Sequence, residues 1–268
     1  MDLFLIIGIV IGALAVVVGM IVKGASITAL LNPAAAIIIF VGTTAAVMNS
    51  FPKNEFLNIP RVLRSLLREK SSYDSISIIE QLIQMAQMAR RDGLLSLEET
   101  VQNMEDPFLR NGMTLVVDGL EHDYIRKMLE TEIESIEDRH RAAAAIFSAA
   151  GSYAPTLGVL GAVIGLIGAL GNLNDMEKLG PMIAAAFVAT LYGIFLGYVL
   201  CHPIASRLKR KSAVEVFNLR LMVEGILAIQ AGENPNNIKI KLSSMLNPEE
   251  RKEFEKREKA LRQEEINV

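Results

Sequence analysis

Two long apolar blocks dominate this sequence, and each is long enough to cross a lipid bilayer twice. They cover residues 3–50 and 142–206, while the charged residues fill the two stretches that follow them. A membrane-spanning helix needs about 20 consecutive apolar residues, because each residue adds about 1.5 Å along a hydrocarbon core about 30 Å thick. The pattern predicts an all-α integral membrane protein with four transmembrane helices and a helical cytoplasmic domain inserted between spans 2 and 3.

The ends of the predicted spans carry ordinary helix signals. Asn32 and Pro33 form a cap and first-turn pair at the start of span 2, and Pro52 stops that helix. The first apolar run follows Asp2 instead of a basic residue and is about 20 residues long, which favours a retained span over a cleaved signal peptide. The predicted spans are residues 3–22, 33–51, 142–170 and 181–202.

The chain accordingly divides into four predicted segments. Residues 1–52 form a transmembrane hairpin, 53–141 a cytoplasmic helical domain, 142–206 a second hairpin, and 207–268 a cytoplasmic C-terminal tail. Basic residues directly follow span 4, so the positive-inside rule places both termini and the inserted domain in the cytoplasm. The basic residues that carry this orientation are Arg207, Lys209, Arg210 and Lys211.

Helical periodicity runs through the inserted segment. Apolar residues repeat at helical spacing over residues 75–90, and Gly93 ends that helix. A long helix begins near Asp123 and meets no breaker before span 3. Further helices are predicted over residues 59–68, 97–103 and 107–119, and the last twenty residues are a solvated helix or a disordered tail.

Small residues recur at regular spacing in spans 3 and 4. They let helix backbones approach closely in lipid, where there is no hydrophobic drive for association. Two interpretations stay open, namely packing of span 3 on span 4 within one chain and contact between subunits. The positions concerned are Gly158, Gly161 and Gly165 in span 3, and Ala185, Ala189, Gly193 and Gly197 in span 4.

Two prolines and two threonines interrupt the apolar character of the same spans. Pro155 lies inside span 3 and Pro203 at the end of span 4, where each removes one helical hydrogen bond. Thr156 and Thr190 offer hydroxyl groups at membrane depth. The simpler interpretation is that each hydroxyl bonds back to its own helix, and the alternative is a role in a polar pathway.

Several functions are disfavoured by what the sequence lacks. No Asp, Glu, Lys or Arg lies within the four spans, so this chain alone cannot relay protons on a carboxylate. A lone cysteine, Cys201, and three separated histidines predict no metal site and no cofactor. An intramembrane enzyme would need a nucleophile–base pair, which the adjacent Cys201 and His202 do not form. Interleaved acidic and basic residues indicate no nucleic-acid partner.

The layout and several stretches resemble the MotA/TolQ/ExbB proton-channel family. Two spans, a large cytoplasmic insertion, and a long helix entering two more spans are typical of the family's flagellar stator subunits. The resemblance covers nearly the whole chain apart from the tail. The stretches that carry it are NPAA at 32–35, ARRDGLLSLE at 89–98, YAPTLGVLGAVIGLI at 153–167 and AAFVATLYGIFLGYVLCHP at 185–203.

This resemblance implies a function and roles for particular residues. It implies five such chains around two MotB-like chains that supply a membrane aspartate, with ion flow turning the assembly against the rotor protein FliG. It also implies a subunit that is not an enzyme. The matching positions would be Pro155, Thr156, Thr190 and Pro203 along the ion path, and Arg90, Arg91 and Glu98 at the rotor contact.

Alternatives within and outside this class remain open at the level of sequence. An energiser of envelope transport of the ExbB or TolQ type would have three spans and no RRDGLLSLE stretch. A membrane scaffold without transport would show packing glycines but no aligned hydroxyls. The sequence prefers a proton over sodium as the coupling ion only through overall similarity.

Overall fold

The computed structural model of the protein describes residues 3–67 and 74–266, and within these residues it contains helices and no strand. The predicted all-α fold class is thus confirmed. Contacts divide the chain into two compact units. The first consists of Met1–Glu69 and Arg139–Lys211, and the second of Lys70–Asp138 and Ser212–Val268.

Four helices are long and apolar enough to cross a membrane, namely Phe4–Val22, Ile27–Ser50, His122–Leu170 and Glu177–Gln230. The second of these contains a change of helix type, with a π-helical turn between two α-helical pieces. The predicted cap is present at its start, since Oδ1 of Asn32 accepts a hydrogen bond from the Ala35 amide at 3.1 Å. The elements are α1 (Leu3–Val22), a 3₁₀ turn (Ile27–Leu30), α2 (Pro33–Ala36), the π turn (Ile37–Val41) and α3 (Gly42–Ser50).

Two short helices follow in the first unit, α4 (Lys53–Leu57) and α5 (Ile59–Leu67). Helix α5 is strongly amphipathic, as predicted for residues 59–68, although residue 68 lies outside the described residues. Residues 1–2 of the predicted first hairpin and residues 267–268 of the predicted tail lie outside them as well.

The third span belongs to α9 (His122–Leu170), a single helix of 49 residues that starts next to the predicted position. The fourth span begins earlier than predicted. Pro181 was expected at the start of the helix, but α10 covers Met176–Ile194 and Pro181 lies inside it. The reason is a cap: the Asp175 side chain accepts a hydrogen bond from the Lys178 amide at 3.3 Å.

A second π-helical segment, Phe195–Cys201, joins α10 to α11 (His202–Gln230). Pro203 lies two residues beyond the end of this segment. A proline in a continuous helix lacks an amide hydrogen and its ring crowds the carbonyl group four residues earlier. The wider π turn relieves that crowding without ending the helix.

The second unit has its own apolar core, built from both of its sequence segments. Its elements besides parts of α9 and α11 are α6 (Ser75–Asp92), a 3₁₀ turn (Leu94–Leu97), α7 (Glu98–Gln102), α8 (Pro107–Val117), α12 (Pro235–Met245) and α13 (Pro248–Ile266). Gly93, with a φ of +84°, turns the chain between α6 and the 3₁₀ turn. Asp106 caps α8 by accepting from the Leu109 amide at 2.8 Å.

The segment after span 4 contributes to this core instead of forming a separate tail. Leu221 and Ile226 in α11 and Ile238 in α12 are fully buried. They join one hydrophobic cluster with Ile79 and Leu82 of α6. The separate segment 207–268 expected from sequence therefore differs from the observed division, in which residues from Ser212 onward belong to the second unit.

Candidate functional site

Spans 3 and 4 pack against each other through glycine and alanine. A Cβ atom placed on Gly158 would lie 3.1 Å from the carbonyl oxygen of Ala189 and 3.1 Å from Cα of Thr190. A Cβ atom on Gly197 would lie 2.6 Å from the carbonyl oxygen of Gly151. These distances leave no room for a side chain. The glycines thus serve packing within the chain, which is one of the two interpretations left open by sequence.

The packing row in span 4 differs from the predicted row at one end. A Cβ atom placed on Gly161 would lie 2.8 Å from Cβ of Ala189, which belongs to the predicted row of every fourth residue. A Cβ atom placed on Gly165 would instead lie 2.8 Å from Cβ of Ala186, not of Ala185. Ala186 is buried, whereas Ala185 is only partly buried and is not the residue that meets Gly165. An α-helix has 3.6 residues per turn, so a row of fourth residues drifts around the helix and the contact passes to a neighbouring position.

The two candidate threonines lie at nearly the same depth but bond differently. The Thr190 hydroxyl donates to the carbonyl oxygen of Gly158, in the other span, at 3.3 Å. The Thr156 hydroxyl donates to the carbonyl oxygen of Tyr153, in its own helix, at 2.7 Å. Thr156 precedes Gly158 by two residues, which is about 3 Å along the helix axis. The simpler interpretation, bonding within the same helix, thus holds for Thr156 and not for Thr190.

Pro155, the residue before Thr156, shapes a second contact between the spans. Because it has no amide hydrogen, the carbonyl group of Gly151 loses its helical partner. That carbonyl oxygen faces the Cα atom of Gly197, and a Cβ placed on Gly197 would also lie 2.9 Å from Cγ of Pro155. A Cα–H group is a weak partner for a carbonyl oxygen. The π turn of span 4 therefore packs directly on the proline turn of span 3.

Sequence reasoning missed several polar and aromatic groups beside this contact. The Ser50 and Tyr153 hydroxyls are 2.9 Å apart and tie span 2 to span 3. The His202 ring lies against Gly151, and its centroid is 5.2 Å from that of Tyr198. Neither a motif nor a spacing in the sequence announces these contacts, although the neighbouring Pro203 marks the region as irregular.

The candidate rotor-contact residues lie in the second unit around the Gly93 turn. Arg90, Arg91 and Glu98 are all exposed. The Arg91 guanidinium is 2.8 Å from the Asp92 carboxylate, so its charge is partly balanced within the chain. Among the described residues, no ion pair forms to Arg90 or Glu98, and both charges are open to a partner.

A separate, partly exposed charge cluster lies in the same unit. Oε2 of Glu224 accepts from the Lys241 ammonium group at 2.7 Å, and its other oxygen is 3.6 Å from the Arg126 guanidinium. The hydrogen bond from Lys241 lowers the pKa of Glu224, with a smaller contribution from the charge of Arg126, against the opposing effect of partial burial. No group of three metal-ligating side chains occurs in the part of the chain that the structure describes.

Four helices long and apolar enough to cross a membrane, two of them packed closely through glycine and alanine, define a multi-pass membrane protein. Residues 100–221 match the MotA/TolQ/ExbB proton channel family. Motility protein A of Bacillus subtilis is 48% identical over 254 residues, which cover 95% of this chain and 94% of that protein.

Solved structures agree over the same length. The flagellar MotAB stator complex from Bacillus subtilis contains a chain with a TM-score of 0.87 and 48% identity, covering 93% of this chain and 98% of that one. The C. jejuni MotAB structure gives a TM-score of 0.87 at 32% identity, covering 92% and 97%. This chain belongs to the MotA/TolQ/ExbB proton channel family, and within that family it has the function of a flagellar motor stator subunit.

Proposed function

We propose that this chain assembles with a MotB-like partner and converts proton flow across the inner membrane into torque on the rotor protein FliG. The observation that carries the proposal is the pair of hydroxyls, Thr156 and Thr190, at one depth in spans without any ionisable Asp, Glu, Lys or Arg. Such spans can shape a proton path but need a titrating group from elsewhere. The similar solved structures are MotAB complexes, which supports a MotB-like subunit as its source.

The bonding of the two hydroxyls suits a protonated carboxyl group. Each hydroxyl gives its single hydrogen to a carbonyl oxygen, Thr156 to Tyr153 and Thr190 to Gly158. The lone pairs of the hydroxyl oxygens then remain as acceptors. An acceptor beside a carboxyl group favours the protonated form, because only that form can donate. The pair would therefore help the partner's carboxylate to take up a proton.

The torque step follows from neutralising and restoring that charge. A proton from outside would neutralise the partner carboxylate beside spans 3 and 4, and the ring of subunits, a pentamer by family resemblance, would move to its next equivalent position. Release to the cytoplasm would restore the charge. The membrane potential supplies about 2.3 kcal/mol per charge per 100 mV. The cycle involves no covalent chemistry, so we expect a non-enzymatic subunit.

The small-residue contact sets where this path can run. Gly193 and Gly197 bring span 4 against Ala154 and Pro155 of span 3 with no room for a further atom. Protons therefore pass along the outer side of this helix pair, where Thr156 is exposed, and not between the two helices. Pro203 lies at the cytoplasmic end of the same pair, next to the π turn, where it would mark the exit.

Orientation follows from charge. The short links after span 1 and after span 3 hold one basic residue each, Lys23 and Lys178, whereas several basic residues at 207–211 directly follow span 4. The positive-inside rule places both termini and the second unit on the cytoplasmic side of the inner membrane. This places Arg90, Arg91 and Glu98 on the side where a rotor would lie.

The rotor contact would depend most on Arg90 and Glu98. Both are exposed, and Arg91 is already paired with Asp92. Exposed charges contribute little to fold stability but can steer association and set register with a partner surface of opposite charge. We assign FliG as that partner.

Swimming of a stator-null host that produces this chain with its cognate partner tests the torque function. The reversal Arg90→Glu should reduce swimming without lowering the amount of chain in the membrane, and Glu98→Lys in the same chain should deepen the loss. Lys252→Glu reverses another exposed charge, on α13, and serves as the control. Normal swimming of the doubly reversed chain would disprove the rotor assignment, and no swimming with intact wild-type protein would disprove the torque function.

The coupling ion is tested separately. Swimming speed should be independent of sodium concentration at constant ionic strength and should fall when a protonophore collapses the proton gradient. If swimming speed rises with sodium concentration and persists in the presence of the protonophore, the coupling ion is sodium and not the proton.

A further inference from the structure

Helix α5 forms a brace across one end of the membrane-crossing helices. Its apolar residues Ile59, Val62, Leu63 and Leu66 repeat at helical spacing. They pack into a cluster with Leu5 from α1, Ala144 and Phe147 from α9, and Ala205 and Leu208 from α11. All three helices meet the brace where their apolar spans end. The brace therefore lies at the level where a bilayer passes from hydrocarbon to headgroups.

The other side of α5 carries two exposed arginines. Arg61 and Arg64 are three residues apart, so their guanidinium groups lie on the same face of the helix. Across residues 3–67 and 74–266, neither has an acidic partner. The Lys211 ammonium group donates to the carbonyl oxygen of Ser65 at 2.7 Å, which brings the basic end of span 4 against this same helix.

From this arrangement we propose that Arg61 and Arg64, with Lys211 beside them, bind the phosphate headgroup of an anionic phospholipid in the cytoplasmic leaflet. The proposal rests on the orientation given under the proposed function and not on torque generation. Arginine presents a planar pair of donors that matches phosphate oxygens. Two such groups on one turn of a helix, held in place by the buried face of that helix, form a prepared site.

Position and charge select a lipid over other anions. The site lies at the ends of three membrane-crossing helices, so a headgroup reaches it without leaving the bilayer surface. The exposed charged side chains of α4 and α5 are all basic, namely Lys53, Arg61 and Arg64. The one acidic residue in these two helices, Glu55, is partly buried. A soluble phosphate would have to bind this open surface without the tether that an acyl chain supplies.

The experiment uses the complex of this chain with its partner, placed in nanodiscs of phosphatidylcholine with increasing phosphatidylglycerol, and counts the lipids retained per chain by native mass spectrometry. A basic residue near an anionic surface contributes about 1 kcal/mol, or about fivefold in affinity. Arg61→Gln and Arg64→Gln should each weaken phosphatidylglycerol retention about fivefold, and together about 25-fold. Phosphatidylcholine retention should not change.

The matched control is Arg220→Gln with Lys252→Gln, which removes two exposed charges from the second unit. The control should retain phosphatidylglycerol like the unaltered chain. Equal retention by the Arg61 and Arg64 variants, or an equal loss in the control, would overturn the site. Displacement of the lipid by millimolar inorganic phosphate would overturn the assignment to a headgroup. If the double variant fails to assemble, the two single variants test the site by the same measurement.

Discussion

Gly197→Ala is expected to force spans 3 and 4 apart. The added Cβ would lie 2.6 Å from the carbonyl oxygen of Gly151 and 2.9 Å from Cγ of Pro155, where ordinary contacts begin at 3.4 Å. Neither a backbone carbonyl group nor a proline ring can rotate away, so the helices must part by roughly 0.8 Å, enough to forfeit a quarter to a half of each dispersion contact. Overpacking of this kind costs about 1–3 kcal/mol. The Thr190–Gly158 hydrogen bond, already 3.3 Å long, would be lost as well.

The free energy of unfolding of the purified complex, measured by titration with sodium dodecyl sulfate, gives the magnitude. Gly168→Ala in the neighbouring span 3 is the matched control, because its Cβ would lie 3.6 Å from Cε of Met182, an ordinary contact. Gly8→Ala in α1 would meet nothing within 4 Å. A cost for Gly197→Ala no larger than for these two would refute the view that close packing at the proline turn holds the spans together.

Three further results follow from the same structure. Thr190→Val removes the hydrogen bond to Gly158 and should cost about 0.6 kcal/mol while reducing proton flux into vesicles, whereas Thr190→Ser should keep both; unchanged flux in the valine variant would contradict the pathway. Because the pKa of Glu224 is lowered in the folded chain, its stabilising contribution is present above the ordinary glutamate range and is lost as pH falls through the lowered value; Glu224→Gln should remove part of this acid sensitivity in thermal unfolding, and an unchanged pH profile would count against the Lys241 pairing. Asp106→Ala should destabilise the second unit by about 1 kcal/mol and Asp106→Asn by less, measured by hydrogen exchange in α8, with equal costs contradicting the capping role.

Proton flux and torque can be separated by these variants. Arg90 reversal should leave flux intact in a complex that no longer pushes the rotor, whereas Thr190→Val should change flux in a complex whose exposed charges are unaltered. The two effects arise in different compact units of the chain.

Sequence alone determined that this is a membrane protein, because the thickness of the bilayer fixes how many consecutive apolar residues a spanning helix needs. Four spans, the long helix into span 3, and the absence of charge at membrane depth all follow from counting residues. Local chemistry likewise predicted the Asn32 cap, because a cap depends on neighbours in sequence. The prediction started span 4 at Pro181, and this start was wrong because the Asp175 side chain caps the helix six residues earlier.

Only the tertiary structure decided which surfaces meet. The drift of a 3.6-residue helix moved the small-residue contact to Ala186, and Gly197, within the π turn before Pro203, packs on Pro155. The Thr190 hydroxyl donates to the carbonyl oxygen of Gly158 in the neighbouring span, and this partner depends on that packing and not on any neighbour in sequence. The apolar positions of α11 similarly joined a core begun more than a hundred residues earlier. Contacts between distant segments depend on the summed fit of many side chains, which no local pattern records.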